Sequence, residues 1–253
     1  MAWRGFGISD VGRKRENNED CYCVNSAIGL FVVADGMGGH AGGEFASRMA
    51  ISTIEEVMSL YHDGPDAHAY YLRDSENIAP EVALAIALRM ANERVYKESQ
   101  AQVHMRGMGT TTAALYLRAD KAYLAHVGDS RIYRLRKGSI KQMTDDHSLV
   151  NEQLRQGIIT AEEARQHQFK NVITRSIGIQ ETVDVDTFSM DTKPGDRFLL
   201  CSDGLSNMVP DKGLERVLRD MDIIAAGRRL IALAVQQGGD DNITCVLAEV
   251  TSL

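Results

Sequence analysis

A long series of short β-branched and aromatic runs, several ending on an aspartate beside glycine or serine, restricts the fold more than any other feature of this sequence. Runs at 4–9, 21–25, 29–34, 110–118, 121–127, 131–136, 140–143, 185–189, 197–202 and 243–250 have the length and composition of strands. Between 110 and 143 they follow closely, with turns at Ala119-Asp120 and Lys137-Gly138-Ser139, so this stretch reads as one antiparallel meander. Helical periodicity covers 43–60, where Ala46, Met49, Ala50, Thr53, Ile54 and Val57 share a stripe. It returns at 80–99, opened by Pro80, and at 222–237, with Ile223, Leu230, Ile231 and Ala234 in phase. Residues 148–168 are polar, with two short helical stretches split by Gly157, and 61–78 reads as a loop. Strands in the middle with helices early and late predict an α+β fold of two stacked sheets with helices outside, not a doubly wound parallel sheet. No Pro-rich linker interrupts the chain, so a single domain over 1–253 is expected.

Composition removes several classes of function. The 253 residues are 44% hydrophobic, enough for a full core, and carry a net charge of −7, which disfavours binding to nucleic acid or an anionic membrane. The start, MAWRGFGISD, has no apolar signal region, and no run approaches the roughly 20 apolar residues of a membrane span. Of the four cysteines only Cys21 and Cys23 are close in sequence and no C-x-x-C pair exists, which argues against zinc. Cys201 and Cys245 lie inside apolar runs and read as small buried hydrophobes. A reducing, cytoplasmic setting is expected.

Carboxylates punctuate the strands. FVVADG ends on Asp35, YLAHVGDS on Asp129 and RFLLCSDG on Asp203, while Glu19-Asp20 and Asp240-Asp241 precede two others. One Asp-Gly after a strand is an ordinary turn. Several, if the strand ends converge, put like charges into one cleft, where they need raised pKa values or cations; oxygen-only ligands suit Mg²⁺ or Mn²⁺. The glycines after Asp35 are not a phosphate cradle of the G-x-x-x-x-G-K-[ST] kind, because no lysine accompanies them. They allow the carbonyl of Gly36 to turn toward a metal and keep side chains out of a cleft that a phosphoester must enter. In the basic stretch Arg13-Lys14-Arg15, Arg15 is best placed to reach the same cleft, where a guanidinium can grip phosphate bidentately.

The set RENNED, VADGMGGHAGG, GTT, HVGDSRIY, DDHS, TRSIG, CSDGL and DDNIT, in this order from about residue 5 to 250, resembles the metal-dependent protein Ser/Thr phosphatases (PPM/PP2C) of the bacterial type. The resemblance implies a four-layer α-β-β-α sandwich with two Mn²⁺ or Mg²⁺ ions, and a third, weaker site. By motif position Asp35 resembles the carboxylate bridging both metals, Gly36 the carbonyl ligand of one, and Asp203 and Asp241 the carboxylates of the other. Glu19 and Asp20 resemble groups that orient water bound to the metals, and Asp129 part of the third site, shared with Asp203. Asn242 resembles a supporting amide and Arg15 the arginine that binds substrate phosphate. Residues 147–172 correspond to a flap beside the site, with His147 as its anchor. Animal members carry a histidine directly after the Asp-Gly pair; here Met37 stands there, and His40, in the D-G-M-G-G-H form, is either the general acid or structural.

The implied reaction is hydrolysis of phosphoserine and phosphothreonine in proteins by a water activated between two metals, with no phosphoenzyme, reversing the action of a Ser/Thr kinase. A monomer is expected. Cysteine catalysis is disfavoured by the lack of a C-x₅-R loop. The alternatives are a non-catalytic phosphoprotein-binding module on the same fold, which would lack some of the metal carboxylates, and a nucleotide binder, which would need the missing lysine.

Overall fold

Among the described residues, nine antiparallel strand pairings build two sheets that stack face to face. The computed structural model describes residues 2–38, 41–64, 78–169 and 171–252. In one sheet β1 (Ala2–Asp10), β11 (Ile243–Ser252), β10 (Arg197–Cys201), β7 (Arg131–Arg136) and β8 (Ser139–Gln142) lie side by side in that order. In the other the order is β2 (Asp20–Asn25), β3 (Leu30–Met37), β5 (Thr112–Arg118), β6 (Lys121–Val127) and β9 (Asp186–Asp191), with the short β4 (Gly109–Thr110) beside the end of β3.

Period-two alternation assigns the faces. On β3, Phe31 and Val33 point between the sheets, where they meet Leu115 and Leu117 of β5, Phe198 and Leu200 of β10, and Val246 and Ala248 of β11. Leu30, Val32 and Ala34 point the other way, under α1 (Ala41–Asp63) and α2 (Pro80–Ala101). The second sheet is covered by α6 (Asp211–Asp220) and α7 (Ile223–Gln236), whose Leu214, Leu218, Leu230 and Ile231 pack on Leu199, Cys201, Cys245 and Leu247. Apolar residues on both faces of β3 and β10 explain why those runs read as continuous rather than alternating. The four layers are therefore helices, sheet, sheet, helices, as the α+β reading expects.

Two expectations need correction. The meander over 110–143 is two hairpins in different sheets: β5 pairs β6, and β7 pairs β8. The chain crosses between sheets at Gly128-Asp129-Ser130, and Asp129 and Ser130 are buried, unlike the exposed tip of a hairpin. Three residues bridge either geometry, so spacing cannot tell them apart. The loop expected over 61–78 begins later, since α1 continues to Asp63; residues 65–77 lie outside the described ones. The polar 148–168 stretch does form two short helices, α3 (Leu149–Arg155) and α4 (Ala161–Gln166), separated by Gly157 in a left-handed conformation. The helices α5 (Asp203–Ser206) and α6 were not foreseen.

Antiparallel pairing gathers the acidic strand ends. Asp20 at the start of β2 sits opposite Asp35 near the end of β3. Cys201 at the end of β10 sits opposite both Cys245, near the start of β11, and Arg131 at the start of β7. Thr112, opening β5, faces Val127, closing β6. All these termini lie at one rim of the sandwich, and Asp129, Asp203 and Asp241 follow or precede them directly.

Candidate active site

Asp35 continues the inter-sheet face of β3, two residues beyond Val33, and arrives at the rim with its backbone fastened. Its N–H donates to Thr111 Oγ1 at 3.3 Å, and its carbonyl accepts from Thr111 N at 2.9 Å and Thr110 Oγ1 at 2.8 Å. The two threonines of the GTT motif therefore fix this strand end, a role the sequence reading did not assign. Close approach explains Gly36: a Cβ there would overlap the carbonyl oxygens of Gly43, in the first turn of α1, and of Glu19. Gly36 N–H donates to that Glu19 carbonyl at 3.2 Å, and Ser47 Oγ donates to it at 2.7 Å.

Of the other carboxylates, Asp20 sits opposite Asp35 on the neighbouring strand β2, Asp129 lies where the chain crosses between the sheets, and Asp203 and Asp241 flank β10 and β11 of the other sheet. Burial raises the Asp35 pKa well above the usual carboxylate range, and the charges of Asp20, Asp203, Asp129 and Asp241 push it further. Burial raises Asp203 as well, the Asp241 charge adds to it, and the contact with Asp35 works the other way. Burial brings Asp129 to about 7, helped by the Asp203 charge. It also brings Asp20 to about 7, against hydrogen bonds from Thr244 and Ser202 and with help from Asp203 and Asp241. Two carboxylates about 4 Å apart at an effective dielectric near 20 repel by about 4 kcal/mol, so a cluster of this kind holds protons or cations near neutral pH.

The donor set fits divalent cations. Asp20 Oδ2 accepts from Ser202 Oγ at 2.8 Å, whereas its buried Oδ1 has no protein partner. An acidic, oxygen-only cleft with an orphaned carboxylate oxygen suits Mg²⁺ or Mn²⁺ rather than a softer metal. Arg15 Nη2 donates to Asp241 Oδ2 at 2.8 Å, and its side chain is 52% exposed. Asn242 ties the Arg15 loop to the start of β11: Oδ1 accepts Glu19 N–H at 2.8 Å, and Nδ2 donates to the carbonyls of Val11 and Asn17. A cavity of about 970 Å³ opens from Asp129 and Asp203 toward Val150 and Leu154 of α3 and Pro210 and Asp211. His40 lies outside the described residues.

A family model described as Protein phosphatase 2C matches residues 11–243. The chain belongs to the protein phosphatase 2C family. This phosphatase is 37% identical over 245 residues to the serine/threonine phosphatase stp of Listeria monocytogenes serotype 4b, covering 95% of this chain and 93% of that one. It superposes on the crystal structure of the Mycobacterium tuberculosis serine/threonine phosphatase PstP/Ppp with a TM-score of 0.87, at 34% identity and over 100% of both chains. It likewise matches the catalytic domain of PstP in complex with two manganese ions, with a TM-score of 0.85 at 34% identity over 99% of each chain.

Sequence reasoning on the phosphatase named His147 but missed Arg131, Asp146, His126 and Asp186, which surround residues 147–172 at their start and behind His147. Arg131 clamps both oxygens of Asp146, at 2.9 and 2.6 Å, where the chain runs on from β8. His147 lies behind Asp129 with His126 and Asp186, the three placing ligand-type atoms within 4.8 Å of one another. His126 and Arg131 stand within the motif HVGDSRIY and Asp146 within DDHS, so the signal was present. Asp186 is joined to them only by the pairing of β6 with β9, which sets it opposite His126.

Proposed function

We propose that the chain hydrolyses phosphoserine and phosphothreonine in proteins at the carboxylate rim, using Mn²⁺ or Mg²⁺. The observation that carries this reading is the meeting, in one cleft, of Asp20, Asp35, Asp129, Asp203 and Asp241, where burial and then the charges of the neighbouring carboxylates raise the pKa values of Asp35 and Asp203. Asp35, the Gly36 carbonyl, Asp203 and Asp241 would hold two cations, and Asp129 with Asp203 a third; the relative crystallised with two manganese ions supports the count of two. Bound there, the cations supply a water activated for in-line attack on phosphorus and offset the charge that develops.

The chain's own residues do the rest. Thr110 and Thr111 fasten the Asp35 main chain, which fixes where its carboxylate enters the site. Ser202 holds Asp20 Oδ2, which leaves the buried Oδ1 as an acceptor for water, with Glu19 next to it in the chain. Arg15 spends one of its five donors on Asp241 and offers the others to phosphoryl oxygens at the mouth. His40 is the candidate acid for the leaving serine or threonine oxygen. Residues 1–253 act as one catalytic domain, with 147–172 as the flap against which the peptide on either side of the phosphoresidue packs.

The same reading makes the protein a cytoplasmic monomer that opposes a Ser/Thr kinase, with no nucleic-acid or membrane partner. The four cysteines are all free, as a reducing compartment favours, and no described helix is long and apolar enough to cross a membrane. The test is phosphate release from phosphothreonine peptides and p-nitrophenyl phosphate by metal-stripped protein with Mn²⁺ added back, comparing the wild type with Asp35→Ala and Asp203→Ala. Both variants should stay folded and lose the Mn²⁺-dependent rate; full activity in either would refute the assignment. Phosphopeptide binding without turnover in the wild type would favour the non-catalytic module.

A further inference from the structure

We propose that Asp186 and Arg175 act with His147 as a positioning relay for the Gly128-Asp129 turn, setting how well the Asp129 carboxylate completes a cation site; this rests on the reading of Asp129 as a ligand. His147 grips both main-chain groups of Gly128. Its backbone N–H donates to Gly128 O at 2.9 Å, and its ring Nδ1 accepts Gly128 N–H at 3.1 Å. Gly128 has φ +106°, and a Cβ there would press into the Thr111 side chain, so the turn is seated tightly just before Asp129.

Because Nδ1 accepts, the proton of the neutral ring is on Nε2. That nitrogen points at Asp186 Oδ2, 3.2 Å away, and Arg175 Nη1 holds the other oxygen of Asp186 at 2.8 Å. The His126 ring stacks on His147 with centroids 4.5 Å apart, and its Nε2 donates to the Asp145 carbonyl at 2.9 Å. The relay therefore runs from the flap exit at Arg175, through the β9 edge, to the turn that presents Asp129.

The same contacts exclude a metal among His126, His147 and Asp186. A cation on His147 Nε2 would force the proton onto Nδ1, where it would oppose Gly128 N–H. The Arg175 guanidinium also lies 3.4 Å from that nitrogen. Loss of the partners that orient a metal ligand commonly costs about 10–100-fold in metal affinity; here Asp186 and His147 orient the backbone that carries the ligand.

The experiment is Mn²⁺ binding to the metal-stripped chain, followed by the electron paramagnetic resonance of free Mn²⁺, together with the amide shift of Gly128. It compares wild type, D186A, D186N, D129A and D129A/D186A. D186A should weaken only the weakest Mn²⁺ step, by about tenfold or more, and move the Gly128 amide. D186N keeps an acceptor for Nε2–H and should lose less. In the D129A background D186A should add nothing. The relay is overturned if D186A leaves both readouts unchanged, weakens every Mn²⁺ step alike, or acts equally without Asp129. If D129A retains every Mn²⁺ step while D186A still moves the Gly128 amide, the reading of Asp129 fails and the relay's link to a cation falls with it.

Discussion

Replacing Asp20 with asparagine should make the metal-free phosphatase more stable near pH 8 while weakening its hold on Mn²⁺. Burial, aided by the charges of Asp203 and Asp241, raises the Asp20 pKa from 3.8 to about 7. An unfolded chain releases this proton near pH 4 and the folded one only near pH 7, so between those values the folded state holds more protons and stability falls as pH rises. At about 1.4 kcal/mol per pH unit, the loss from this one group reaches at most about 4 kcal/mol above pH 7. Asparagine keeps an acceptor for Ser202 Oγ and sets an amide donor where Oδ1 has no partner. Urea unfolding in chelator at about pH 5 and about pH 8 reads the effect. The wild type should lose stability across that interval, and Asp20→Asn should lose less and surpass it at the higher pH. Saturating Mn²⁺ should reverse the order, because the wild type binds it more tightly and gains more from ligation. Metal-free wild type that gains stability across this interval, or an Asp20→Asn chain that is less stable at about pH 8, would refute the electrostatic account of the cleft.

Other substitutions test single contacts. Arg15→Ala should raise KM for phosphopeptides roughly tenfold, the scale of one charge-assisted hydrogen bond, with little change in Mn²⁺ affinity; steady-state kinetics at saturating metal decides it. Gly36→Ala places a methyl group against the Gly43 and Glu19 carbonyls and should cost about 1–3 kcal/mol of stability, read by urea unfolding. Glu249 is drawn upward by burial, but its bonds to Arg4 and Arg197 outweigh this and lower its pKa below 4.5. Its contribution should therefore be present at neutral pH and lost as pH falls through the acid range, so Glu249→Gln should flatten the acid limb of a thermal melt.

Much of this architecture was legible because the local signals agreed with one another. β3 announces itself as a fully apolar run that stops at Asp35, since both of its faces are buried. The helices α1, α2 and α7 carry their core stripes in phase, and the acidic rim follows from strands that end on aspartate. The rest depends on partners distant in sequence. Gly128-Asp129-Ser130 is as long as a hairpin turn, yet it crosses between sheets because its side chains are buried against Thr111 and the cleft. Asp186 looks like an ordinary strand-edge residue until β6–β9 pairing sets it opposite His126. Ser202 reads as part of a turn until Asp20, 182 residues away, is seen to accept its proton.

Anomalous scattering from crystals grown with Mn²⁺ tests the central claim most directly. The account expects peaks at the rim, with Asp35 between two of them and Asp203 and Asp241 in contact. Mn²⁺ seated instead among His126, His147 and Asp186, with the Asp35 rim empty, would contradict it.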